Sequence, residues 1–132
     1  MKKIIVLFLV VTMCLSLAAC GTKSEFKKVY NKAFDIVGMS RGKVDEGYFI
    51  LDTNLLNSDN YPSDPYDKQK VSDTLMAIQY TNEALGFSPS LYSEMINTTK
   101  EMGTQSEEND KYKVTWSFDP HDGLEVTYEI KK

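Results

Sequence analysis

Histidine, tryptophan and cysteine are scarce: the 132 residues hold one His, one Trp and two Cys. A single imidazole supplies no zinc centre of several His or Cys ligands, and it leaves histidine-dependent triads and activated thiols poorly supported. That histidine, His121, sits in the sequence DPHDG, where Asp119, Pro120 and Gly123 provide ordinary turn chemistry, so it reads as an exposed turn residue. An excess of basic charge is missing too. Fifteen Lys and Arg stand against 19 Asp and Glu, a net charge of −4, with an isoelectric point near 5.0. Such a surface does not attract phosphate backbones, and nucleic acid is set aside as a partner. No apolar run reaches the roughly 20 residues that a membrane-spanning helix needs. Internal repeats and low-complexity tracts are absent. What is present is 42% hydrophobic and 11% aromatic residues, enough for one compact core at this length.

The N-terminus has the three parts of a secretory leader. Lys2 and Lys3 precede the mostly apolar stretch 4–15, and the small residues Ser16, Ala18 and Ala19 follow it before Cys20. Leu17-Ala18-Ala19-Cys20 resembles the lipobox of bacterial lipoproteins, a resemblance that covers residues 1–21. It implies that Cys20 becomes the first mature residue, carries a covalent diacylglycerol, and fixes the protein to the cell membrane facing outside the cytoplasm. The expected organisation is therefore a signal peptide over 1–19, a lipidated linker over 20–23 and one domain over 24–132. Loss of the leader removes Lys2 and Lys3 and leaves 13 basic against 19 acidic side chains, a net charge of −6. Cys14 leaves as well and Cys20 is acylated, so the exported domain has no disulfide to form and is held by packing alone. Lys23, Lys27, Lys28 and Lys32 follow the anchor and could meet anionic headgroups. Glu25 and Asp35 share the polar face with Lys28 and Lys32, which favours a solvated mixed-charge surface.

In the mature chain, Phe26, Val29, Tyr30, Ala33, Phe34 and Val37 recur at helical spacing and predict a helix over 24–37, with Thr22 and Glu25 as a capping box and Gly38 and Arg41-Gly42 as its stop. Residues 47–53 (GYFILDT) read as a strand. Residues 52–70 are rich in Asn, Asp, Ser and Pro and read as one long loop. Loops beyond about 12 to 15 residues are uncommon in compact domains and often carry function. A second helix is expected over 73–85, capped by Ser72, stapled by Val71 and Met76 and closed by Gly86; its inward stripe holds Leu75, Ile78 and Leu85. A third should start from Ser88-Pro89, carry Leu91, Met95 and Met102 on one face, and end at Gly103. The last segment alternates most clearly, with Tyr112, Val114, Trp116 and Phe118 before DPHDG and Leu124, Val126, Tyr128 and Ile130 after it. This is a β-hairpin in which Phe118 faces Leu124, Trp116 faces Val126, and Lys113 faces Glu129. A further short strand is expected near 105–107. The order of elements predicts an α+β fold of two layers, an antiparallel sheet of three to four strands against about three helices.

Candidate functional residues concentrate in the long loop. Tyr61 and Tyr66, beside Pro62 and Pro65, either fold back to cover the edge of the core or offer aromatic contact area on a stiffened segment. Asp59, Asp64 and Asp67, with Asp52, Asn54 and Asn60, are oxygen donors of the kind calcium prefers. The EF-hand order is absent, however, and Asx-turns account for the same residues without a metal. Asn82 falls within the apolar stripe of the second helix, so its amide needs partners: a neighbouring loop or strand end, or a ligand. The acids at 45, 46, 52, 94, 107, 108 and 110 include possible acid/base pairs, but no spacing selects one. The expected function is a lipid-anchored binding or interaction module of the bacterial envelope, not an enzyme, with no cofactor and an unknown envelope ligand or protein as partner. An immunity or interference factor against a toxin or phage, and a carboxylate hydrolase of envelope polymers, are the alternatives. The mature domain, through GLEVTY after a VTW strand and through ALGF, loosely resembles small unassigned secreted domains of Gram-positive bacteria. That resemblance implies no site residue.

Overall fold

The computed structural model describes residues 2–38, 40–53 and 65–132, and the side chains among them from Cys20 onward, those of 65–67 excepted. The elements are α1 (Lys2–Val37), β1 (Arg41–Lys43), β2 (Tyr48–Asp52), α2 (Pro65–Ala84), α3 (Leu91–Ile96), β3 (Gln105–Glu108), β4 (Tyr112–Asp119) and β5 (Gly123–Ile130), with single 3-10 turns at Val44–Glu46 and Lys100–Met102. The sheet is antiparallel throughout, in the order β1-β2-β5-β4-β3. This is an α+β fold, with five strands where three to four were expected.

Alternation along the strands decides which face is dry. Phe49 and Leu51 of β2, Tyr112, Val114 and Trp116 of β4, and Leu124, Val126 and Tyr128 of β5 are buried under the helices, while Thr115, Ser117, Thr127 and Glu129 lie on the wetter face between them. Phe26, Ala33 and Val37 of α1 and Ala77 and Ile78 of α2 close the core from the other side. An aromatic cluster joins the layers: the Phe26 ring lies 5.1 Å from Phe49 and 5.7 Å from Tyr112, and Phe49 lies 5.2 Å from Tyr128. The hairpin has the expected register, with Phe118 opposite Leu124, Trp116 opposite Val126 and Lys113 opposite Glu129. The strand expected near 105–107 is β3.

Several boundaries differ from the expectation, each for a local reason. Helix α1 ends at Val37 as expected, but it runs straight through Thr22 and Glu25, so those residues form no capping box at a helix start. Strand β1 was not anticipated, because Arg-Gly-Lys is short, exposed and carries no alternation. Helix α2 starts eight residues before the expected Asp73, at Pro65, a residue suited to the first helical position. The loop of 52–70 is thus shorter than expected, Tyr66 and Asp67 belong to the first turn of α2, and Val71 and Ser72 lie inside the helix, not at a cap. Its C-terminal end is as expected. Gly86 adopts φ 75°, its N–H donates to the Glu83 carbonyl, and the Phe87 N–H donates to the Asn82 carbonyl, which is a Schellman closure.

The third helix is much shorter than expected. It stops at Ile96 because Asn97 and Thr98 turn their side chains onto the Ser93 and Glu94 carbonyls, at 2.7 and 2.8 Å. Met102, expected on the core face, is half exposed in the separate turn Lys100–Met102. The residue that begins α3 is Ser90, not Ser88; the Ser88 N–H and hydroxyl donate instead to the two carboxylate oxygens of Glu107, both at 2.9 Å.

Candidate functional site

The strands give the domain two ends. At one, Tyr112 meets Glu25 and Phe26 of α1, and the Ile130 N–H donates to the Gly47 carbonyl. At the other, about 25 Å along an eight-residue strand, lie Asp52, Phe118, Leu124 and the hairpin turn.

Cys20 belongs to the first end. It is exposed on α1, and the first fully buried residue among the described side chains is Phe26, six positions later, or about 9 Å at 1.5 Å per helical residue. Between them Glu25 accepts hydrogen bonds from the Tyr112 hydroxyl at 2.8 Å and the Lys111 ammonium at 3.1 Å. These two donors hold the Glu25 carboxyl below the usual range, Tyr112 contributing most. Burial, and then the facing carboxylate, push the Tyr112 phenol upward. The helix is therefore pinned to the sheet immediately after the cysteine.

The second end holds the segment singled out from the sequence. Thr53, the last described residue before it, donates its N–H to the Leu124 carbonyl at 3.0 Å, and its hydroxyl accepts from the Leu124 N–H at 2.9 Å. On the far side of the segment, α2 is fixed early by Lys70, whose ammonium donates to the Val37 carbonyl at the end of α1, at 2.8 Å. Arg41 bridges three strands there, donating from β1 to Asp52 on β2 at 2.5 Å and to Glu125 on β5 at 2.6 Å. The hairpin turn is held by Asp119, which accepts from the His121 N–H at 2.8 Å and pairs with Lys100 at 2.9 Å; the first contact and then the second lower its carboxyl pKa.

Tyr61, Asp59 and Asp64 lie outside the described residues, and Tyr66 and Asp67 are placed only by their backbone in α2. Among the described residues no group of three or more His, Cys, Asp or Glu is arranged to hold a metal ion. Asn82 is buried. Its carbonyl oxygen accepts from the Tyr128 hydroxyl at 2.7 Å and its NH2 lies 3.4 Å from the Met95 sulfur. The amide ties α2 to the interior of β5 and to α3, not to the loop or strand end expected for it.

A feature the sequence did not announce is an open hollow of about 320 Å³ on the flank of the domain. Ser93 and Asn97 of α3, Thr98, Met102, Gln105 of β3 and Trp116 of β4 line it, with Glu94. The hollow exists because α3 ends early: Thr98 turns inward to accept the Trp116 indole N–H at 2.8 Å, and Met102 is left at the rim.

Neither family models, nor curated proteins, nor solved structures give a match to this chain. Among the described residues no helix is long and apolar enough to cross a membrane.

Proposed function

We propose that this protein is a lipid-anchored binding module of the bacterial cell envelope, held by diacylglycerol on Cys20 and facing outside the cytoplasm. The observation that supports this most is the opposition of the two ends: Cys20 lies about 9 Å before the core begins, while Thr53, from which the Tyr- and Asp-rich segment departs, lies at the far end of the strands. A lipid on Cys20 would hold one end at the bilayer and turn the other away from it. Loops carried on a rigid scaffold are common recognition elements, and the stretch that follows Thr53 in the sequence carries Asp59, Tyr61 and Asp64, with Tyr66 and Asp67 in the first turn of α2. Calcium on those aspartates would be an addition to this reading, not a requirement of it.

The test is detergent-phase partition and N-terminal mass spectrometry of the protein expressed in a bacterial host. The wild type should enter the detergent phase with diacylglycerol on Cys20, and Cys20→Ala should not. A mature wild-type chain without the lipid overturns the proposal.

A further inference from the structure

Strand β3 is one of the two edges of the sheet, and among the described residues it pairs with β4 alone. The Asn109 N–H donates to the Tyr112 carbonyl at 3.0 Å, which sets the phase of the ladder. Bonded pairs in an antiparallel ladder recur every second residue, so Gln105 and Glu107 turn their backbone groups to Trp116 and Val114. The N–H and C=O groups of Ser106 and Glu108 therefore point outward, and no described residue bonds to them. Such a row is a template for another extended backbone.

The hollow beside Trp116 opens at the start of this edge, on the helix side of the sheet. Alternate side chains of an added strand point to that side, where Glu94 and Glu107 also lie, so a basic one would lay its apolar stem against Met102 and Trp116 and bring its charge to Glu94. The surrounding charge is negative. Glu94 and Glu107 are bonded to serine hydroxyls, at 2.7 and 2.9 Å, and neither is in an ion pair with a cation. Lys100 is engaged by Asp119 and Lys131 by Glu108. Two copies of this edge would bring acid against acid, which disfavours self-pairing; a basic strand would not meet that repulsion.

We propose that the β3 edge and the hollow beside Trp116 form a groove for an extended peptide segment of a partner protein, alternating basic and apolar residues, which adds to the sheet as a further strand. The mode is strand addition, with main-chain bonds supplying affinity and the pocket supplying selectivity. The site deepens the binding-module reading by naming a partner class, but it depends neither on the lipid nor on the distal segment.

The experiment uses the full chain in detergent and three synthetic heptapeptides: Thr-Val-Lys-Leu-Lys-Val-Thr, the same with Glu for Lys, and the same with Pro for both Val. Fluorescence anisotropy should show the lysine peptide binding at least about tenfold more tightly than the others. Hydrogen exchange at the Ser106 and Glu108 amides should slow only with that peptide. Ser106→Pro removes an outward donor that the ladder does not use, so it should abolish binding and leave the melting point unchanged. If that variant loses stability, Glu94→Lys on the exposed side of α3 decides the matter by reversing the preference from the lysine to the glutamate peptide. Equal binding of the three peptides, no binding, unaltered preference in Glu94→Lys, or self-association of the wild type that Ser106→Pro removes would each overturn the proposal. Detergent partition and the mass of the Cys20 peptide report on the anchor independently of all these outcomes.

Discussion

The indole N–H of Trp116 donates to the Thr98 hydroxyl at 2.8 Å, and the same hydroxyl donates to the Glu94 carbonyl at 2.8 Å. One threonine thus ends α3 and satisfies a buried donor of the sheet. Thr98→Val keeps the shape and removes both bonds, leaving the indole N–H buried without a partner, which costs about 1 to 3 kcal/mol. Trp116→Ala should cost about 3 to 5 kcal/mol, as large aromatic truncations do. Urea denaturation checks both values, and the native emission maximum of the wild type should be blue-shifted relative to that of a solvated indole.

The hairpin was legible because two strands of period-2 residues fix each other's register: a slip by one residue would turn either Val114 and Trp116 or Val126 and Tyr128 to water. The edge strand β1 was not legible, since its three residues earn their geometry from pairing with β2 and have no pattern of their own. The start of α2 was hidden because its first turns read PYDKQK, polar enough to pass for loop, although Pro65 after Asp64 is a familiar helix-start signal. Placing Asn82 among Leu75, Ile78 and Leu85 revealed its burial. Its partner Tyr128 is 46 residues away and is set by tertiary packing, which no local pattern reports. The hollow escaped for the same reason, because it depends on where α3 stops and on what Thr98 then meets across the fold.

Burial holds the Tyr128 phenol well above its ordinary pKa, and Tyr112 is shifted in the same direction by burial and by Glu25. Above about pH 10 an unfolded chain releases tyrosine protons that the folded chain retains, so stability falls as pH rises from there. The urea midpoint should drop between about pH 9.5 and 11.5. Tyr128→Phe should lessen that drop, leaving the part due to Tyr112, while costing about 1 to 2 kcal/mol at pH 7 through the unpaired Asn82 carbonyl. A midpoint independent of pH in the wild type contradicts the buried hydroxyl.

Gly42 and Gly86 both have positive φ, at 116° and 75°, but their surroundings differ. A Cβ on Gly42 would lie 2.6 Å from the Phe49 Cα, whereas one on Gly86 would meet nothing within 4 Å. Gly86→Ala should therefore cost only the left-handed backbone penalty, roughly 1 kcal/mol. Gly42→Ala adds a backbone clash and must push β1 from β2. Amide exchange should show this directly, with protection lost in Arg41–Lys43 and in the facing residues of β2, while Gly86→Ala retains it.

The segment between Thr53 and Pro65 is bounded by described residues that are held firmly, Thr53 by two bonds to Leu124 and α2 by Lys70 on the Val37 carbonyl. On the proposed reading Tyr61 and Tyr66 serve contact with a partner instead of stability, Tyr66 from the first turn of α2. The double substitution Tyr61→Ser, Tyr66→Ser should leave the melting temperature within about 2 °C of wild type, as surface changes worth under 0.5 kcal/mol do. Retention of the lipid-free Cys20→Ala protein on isolated bacterial envelopes should be lost in that double variant. Loss of several degrees with retention intact would assign the two rings to the core and move recognition away from the distal end.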